Sequence, residues 1–273
     1  MGMLSAVLEL GLSRSGTCEK ARSISMIRQS MATLVVGASG ATGRLLVKQL
    51  LDRGEKVTAI VRSTSELPAE LAPHDCLTLV TANILELSDA ELAAHVKDCS
   101  AVASCLGHNL SFKGIFGQPR QLVTQATRKL CIAIRANRPE QPVRFVLMNT
   151  TGNRNRDLKE RISFAQQCVI ALLRGLVPPH RDNETAADYL RTQLGQDNRL
   201  VEWVAVRPDG LTDEATVTEY DLFPSPTRSA IFDAGKTSRI NVGHFMADLI
   251  GDDSLWQKWK GQMPVIYNRS SAK

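Results

Sequence analysis

Aromatic residues are scarce in this chain, with three tryptophans, three tyrosines and seven phenylalanines among 273 residues. A groove for single-stranded nucleic acid needs rings to stack on and clustered Lys and Arg beside them. Here the basic residues are scattered among acidic ones. The formal net charge of +5 therefore describes a mildly basic, solvated surface and argues against a nucleic-acid partner. No apolar run approaches the roughly 20 residues a membrane-spanning helix needs, and the stretch "CVIALLRGLV" is short and interrupted by Arg174. The six cysteines form no C-x-x-C pair and the five histidines no H-E-x-x-H spacing, so no metal motif is present. Cysteines placed mostly inside apolar stretches point to reduced, buried thiols in a cytoplasmic protein. Internal repeats and low-complexity segments are absent as well.

Residues 1–30 precede the first clear strand and set Arg14, Lys20, Arg22 and Arg28 against Glu9 and Glu19. They lack the charge order and cleavage site of a secretory signal, and the two glutamates count against a transit peptide. The segment reads as a weakly ordered extension, and Met26 and Met31 offer later starts. Residues 31–273 read as a single domain, with a small cap over about 207–240.

From Ala32 onward, Val- and Ile-rich runs occur at 32–37, 56–61, 77–81, 101–106, 143–148 and 201–206. Continuous apolar runs of this length suit strands buried on both faces of a parallel sheet. Helical patterns lie between them, near 41–53, 88–97, 117–137, 158–175 and 183–195. Ser88 and Glu91 form a capping-box signature, and Gly54 stands where a helix-terminating glycine belongs. Repeated β-α units of right-handed crossover define an α/β fold: a Rossmann-type, doubly wound parallel sheet with helices on both faces.

The first β-α turn carries Gly37, Gly40 and Gly43 between "TLVV" and "RLLVKQLL". In such a fold this turn brings a dinucleotide's diphosphate to a helix N-terminus. Gly37 permits the sharp turn, Gly40 removes a side chain from the diphosphate's path, and Gly43 lets the helix approach the sheet. The second strand then ends in "VTAIVRS". A free ribose 2′-hydroxyl is usually held there by Asp or Glu; Arg62, followed by Ser63, instead complements a 2′-phosphate. The cofactor expected is NADP(H) ahead of NAD(H). Ser39, Ala41 and Thr42 between the glycines, and Asn83 beyond the third strand, complete the cofactor-binding set read from these segments.

"GASGATGRLLV", the arginine after the second strand, "AVASCLGHN", "RFVLMNTTG" and "VEWVAVRPDGL" together resemble an atypical short-chain dehydrogenase/reductase. The likeness is to the NAD(P)H-binding, NmrA-like and flavin/biliverdin-IXβ-reductase-like group, over about residues 32–268. It implies that Leu106, Gly107 and His108 line the cofactor, and that Arg207 and Pro208 are structural and pocket-forming. Asp209 departs from the family's Arg-Pro-Gly. The resemblance also implies a hydroxyl after strand five, which Thr150 or Thr151 supplies, and a Tyr-x-x-x-Lys pair on the next helix. The sequence has no such pair, because Tyr189 is followed four residues on by Gln193. Alignment of "NETAADYLR" puts His180 near the tyrosine position and Glu184 near the lysine.

Two function classes follow. One is an oxidoreductase passing hydride from NADPH to a small unsaturated or aromatic acceptor, with the proton supplied by solvent or by His180, whose ordinary pKa of about 6.5 suits that work. The other is a non-catalytic, NADP(H)-sensing regulator of the NmrA-like type. Tyr220, Phe223 and Phe232 are candidates either to roof a flat substrate or to pack the core. Asn241 is expected to cap a helix at 242–250, and "MPVIY" to form a closing strand. The partner expected is a small-molecule substrate, and the oligomeric state stays open between monomer and dimer.

Overall fold

The computed structural model describes residues 31–63, 74–108, 117–158, 160 and 163–269. The reading of residues 1–30 lies outside them. Six strands lie parallel at the centre of the fold: β1 (Ala32–Val36), β2 (Lys56–Val61), β3 (Leu77–Thr81), β4 (Cys99–Ser104), β5 (Val143–Met148) and β6 (Val201–Pro208). β10 (Val265–Asn268) adds parallel to β6, and β8 (Tyr220–Phe223) closes that edge antiparallel. The order β3-β2-β1-β4-β5-β6-β10-β8 reverses direction between β1 and β4. A crevice outside the carboxyl ends of the strands is expected at that switch point. Two short strands, β7 (Gly210–Thr212) and β9 (Lys236–Ser238), pair separately within the region read as a cap.

The pleat divides the apolar runs between two cores. Leu34, Val102, Phe145, Leu147 and Trp203 face one side. There they meet α2 (Asp89–Val96), α3 (Leu122–Ala136) and α5 (Pro178–Asp188). Val35, Ala101, Val146, Val204 and Val206 face the other side. Their partners are α1 (Gly43–Asp52), α6 (Arg239–Gly251) and α7 (Asp253–Trp259). α4 (Phe164–Leu176) lies between β5 and α5.

Ser88 and Glu91 form the expected reciprocal cap, and Gly54 ends α1 at φ +75°. Several boundaries differ from the sequence reading. β4 starts two residues early and leaves the sheet at Cys105, whose amide donates to Val36 O at 2.9 Å before the chain bends over the Gly37 turn. The helix expected from 183 begins at Pro178, since proline at a first helical position gives up no needed donor, and it runs into a π-helical turn at Tyr189–Leu194. Ser238, not Asn241, caps α6; buried Asn241 instead bonds Thr218 and Asn268 from inside the helix. Among the described residues the five thiols are free but not uniformly buried: Cys99 and Cys131 are buried, whereas Cys168 is exposed. Among the described residues no helix is long and apolar enough to cross a membrane.

Candidate active site

A cleft of 370 Å³ opens at the switch point. Gly37 sits at φ +74°, and a Cβ there would lie 2.7 Å from the Cys105 carbonyl carbon and 2.8 Å from the Leu106 amide. Only glycine lets the two loops pass this closely. A Cβ on Gly43 would stand 2.0 Å from the Gly37 carbonyl oxygen, so this glycine lies under the turn instead of lining the cleft. Gly40 is different. It is exposed on the cleft wall, and its missing Cβ would meet nothing nearer than Gly37 O at 3.2 Å. Thr42 begins α1 without a side-chain cap, and the first turn carries no acid. The positive helix end therefore faces open space, as an anionic diphosphate requires.

Ser39, Ala41 and Thr42 line the same wall, as do Arg62, Asn83, Leu106, Gly107 and His108. Arg62 is exposed and makes no ion pair among the described residues. Ser63 is not on this wall; it follows the bend at Arg62, beyond the end of β2. Asn83 is held by its own loop, donating to Glu86 Oε1 at 2.7 Å and accepting from the Leu85 amide at 3.2 Å. Sequence reasoning missed Ile60, Ile84, Leu122 and Met148, apolar wall residues offering a surface for flat rings. Ile60 and Met148 lie at the ends of expected strands and were within reach of the sequence pattern.

Asp182 is the other residue missed. Its side chain is fully buried beneath His108 and accepts from His108 Nε2 at 2.9 Å. It also accepts from the Val123 and Thr124 amides at 2.8 and 2.9 Å, so it caps α3 from a distant helix. Burial alone would raise this carboxyl, but the hydrogen bonds from His108, Thr124 and Val123 together hold it below the ordinary aspartate range. The sequence offered only an acid within the polar run "HRDNE".

Beyond β5 the chain crosses between cleft and helices. The Asn149 amide donates to Val206 O and the Thr151 amide to Pro208 O, and Asn149 Nδ2 reaches Asn183 O on α5 at 3.0 Å. Thr150 Oγ1 accepts from the Gly152 amide at 3.3 Å. His180 lies in the first turn of α5, not in a loop, and its ring packs on Gly152, where an added Cβ would come within 3.4 Å of Cε1. His180 Nε2 is buried without a hydrogen-bond partner among the described residues. Burial pushes the imidazole pKa below its ordinary value, against the pull of Glu184 and with help from the Arg174 charge. Glu184 is not at the helix start. It forms a two-pronged pair with Arg174, both bonds 2.7 Å. Thr150 and His180 thus flank Gly152. Thr151 instead lines a separate cavity, and Glu184 is engaged with Arg174.

Tyr220, Phe223 and Phe232 form no roof over the cleft. Tyr220 bonds His244 and packs on Phe245, Phe223 packs on Tyr267, and Phe232 is exposed. Arg207 is structural. Its guanidinium donates to Glu160, to the carbonyls of Asn153 and Pro224, and through Nε to Met263 O. Asp209 fastens the β7–β9 pair by accepting from the Gly235 amide at 2.8 Å.

A glycine turn at the switch point of a parallel sheet, opening on an uncapped helix start, defines a Rossmann-type nucleotide-binding protein. The chain belongs to the NAD(P)H-binding family, whose model matches residues 37–253. Solved structures share the fold at low identity. A wide-type short-chain dehydrogenase/reductase from Veillonella parvula, in complex with NADP, aligns with TM-score 0.63 and 15% identity over 89% of this chain and 97% of that one. The anaerobilin reductase ChuY from Escherichia coli O157:H7 aligns with TM-score 0.61 and 16% identity over 89% and 99%. An oxidoreductase from Lactococcus lactis aligns with TM-score 0.62 and 17% identity over 89% and 93%.

Proposed function

We propose that this protein is an NADP(H)-dependent oxidoreductase that reduces a small unsaturated or aromatic acceptor without a Tyr-x-x-x-Lys pair. The observation that carries this reading is Arg62, an exposed guanidinium on the wall of the nucleotide cleft with no ion-pair partner among the described residues. The α1 start and the Gly37–Thr42 turn receive the diphosphate, and Arg62 receives a 2′-phosphate. Ile60, Ile84 and Leu122 supply flat apolar contact, and Leu106, Gly107 and His108 border the ribose nearer the reacting end. Asp182 fixes the orientation of His108 by accepting from Nε2.

The cofactor supplies a hydride when bound, and the acceptor gains that hydride and one proton while NADPH becomes NADP⁺. The proton comes from solvent or from His180, whose ring rests on Gly152 beside Thr150 and lies off the cleft wall. The Glu184 and Arg174 charges act on the His180 imidazole in opposite directions. With Nε2 buried, transfer from His180 requires a shift of its ring or of the Gly152 turn when the acceptor binds. Absence of the Tyr-Lys pair equally fits the second reading, a regulator that binds NADP(H) without turnover.

Nucleotide titration of wild type and Arg62→Ala tests the cofactor assignment. Loss of the arginine is expected to weaken NADPH binding by about ten- to a hundredfold and NADH binding much less. Equal wild-type affinity for the two cofactors would remove the argument. NADPH oxidation over a panel of quinones, flavins and enones then separates enzyme from regulator, since tight binding without turnover across the panel favours the regulator.

A further inference from the structure

The geometry points to a second site, for an anionic group of the acceptor, across the β5 terminus from the nucleotide cleft. A cavity of 330 Å³ lies there, with Thr151 and Gly152 on its wall, three and four residues beyond cleft-lining Met148. Its wall carries five hydroxyl side chains, from Thr151, Ser163, Ser225, Thr227 and Ser229. Two guanidinium groups join them. Arg154 is exposed and makes no ion pair among the described residues. Arg228 holds Asp233 through Nε and Nη2, at 3.0 and 2.7 Å, which leaves Nη1 for another acceptor.

Glu160, the one carboxylate on the wall among the described residues, does not oppose an anion. It is buried and tied to Arg207 at 2.7 and 3.1 Å and to the Asn155 amide at 2.8 Å. Ser163 stands just before α4 and caps the Gln166 amide at 3.2 Å, and that helix has no acid in its first turn. Its positive end therefore adjoins the cavity. The Thr151 hydroxyl is buried and has no hydrogen-bond partner among the described residues. A buried hydroxyl left unpaired is costly, and a ligand oxygen removes that cost.

Among the described residues only Ile170 and Pro226 contribute wholly hydrocarbon side chains to this wall, so an uncharged flat ring finds little there that matches it. A carboxylate, or an anion of similar size, finds the Arg154 guanidinium, the remaining Nη1 of Arg228, a helix start and the Thr151 hydroxyl. The inference rests on the oxidoreductase reading in one respect: the anion anchors an acceptor whose reducible end extends past Gly152 and His180 to the nucleotide cleft. Arg154 and Arg228 are then the residues that set acceptor specificity.

Calorimetric titration of the full chain with benzoate, and with benzamide as its neutral counterpart, tests the site both with and without saturating NADP⁺. Benzoate is expected to bind at least tenfold more tightly than benzamide. Arg154→Gln and Arg228→Gln should each remove most of that preference and leave NADP⁺ affinity unchanged. Exposed Arg154 can be replaced without harm to the fold, which circular dichroism checks. Equal binding of the two probes, undetectable benzoate binding, or unaltered benzoate binding in both variants overturns the inference. Failure of NADP⁺ to bind strikes the cofactor reading alone, since the benzoate comparison stands on nucleotide-free protein.

Discussion

The three glycines of the first turn share a spacing but not a task. Gly37 combines a left-handed backbone with backbone atoms of Cys105 and Leu106 inside 3 Å of its missing Cβ. Gly37→Ala should therefore cost stability, about 1–3 kcal/mol from the dihedral alone, visible as a lowered melting temperature. Gly40 carries neither burden, its missing Cβ meeting only Gly37 O at 3.2 Å, so Gly40→Val should cost less stability than Gly37→Ala but lose NADPH binding. If that variant kept its nucleotide affinity, the diphosphate would have to lie elsewhere. His180 makes a second case at this scale. Its folded-state pKa lies below the ordinary imidazole value of about 6.5, so the unfolded chain binds the proton more readily. Its contribution to stability is complete above that value and is lost as pH falls through the folded pKa. Thermal melts at neutral and mildly acidic pH should show a smaller acid-induced drop for His180→Gln than for wild type.

α5 is the element that ties site to scaffold. Asp182 locks its first turns to the start of α3 and to His108, Asn183 O receives Asn149 from the end of β5, and His180 rests on Gly152. The helix therefore sets the spacing between the nucleotide cleft and the proposed proton donor. Asp182→Asn retains the shape but sets an NH2, which cannot accept, against the Val123 or the Thr124 amide, and removes the charge from the bonds that remain. A loss of about 2 kcal/mol is expected, read by urea unfolding, together with faster hydrogen exchange at the Val123 and Thr124 amides. Unchanged exchange there would mean that α3 does not depend on this cap. The boundaries of these elements were the least legible part of the chain. The helical pattern read from 117 ran across Gly117 and Pro119, while the cap that starts α3 at Leu122 comes from a residue about sixty positions further on.

Over the whole molecule, the sheet divides two apolar cores, and one buried ion pair joins the segments beyond its carboxyl edge. Arg207 lies in the last two residues of β6, Glu160 belongs to the segment after β5, and the same guanidinium reaches the approaches to β10 and the end of β8. With both side chains almost fully buried, Glu160→Gln leaves a desolvated cation short of its counter-charge. Unfolding free energy should fall by about 3–5 kcal/mol, and a loss below 1 kcal/mol in denaturant titrations would show that the pair is not the clasp described here.

The sequence by itself determined the parallel sheet, the glycine turn and the arginine beside it. Each of these is written in neighbouring residues: apolar runs long enough to bury both faces, glycines where a strand becomes a helix, a cation at the next strand's end. Tertiary structure alone decided that Asp182 caps α3 and orients His108, that Glu184 pairs with Arg174, and that Thr151 turns into a cavity apart from Thr150. Those outcomes depend on groups far apart in the chain meeting away from water, where a partner's identity fixes charge and direction, and no local pattern records such a meeting.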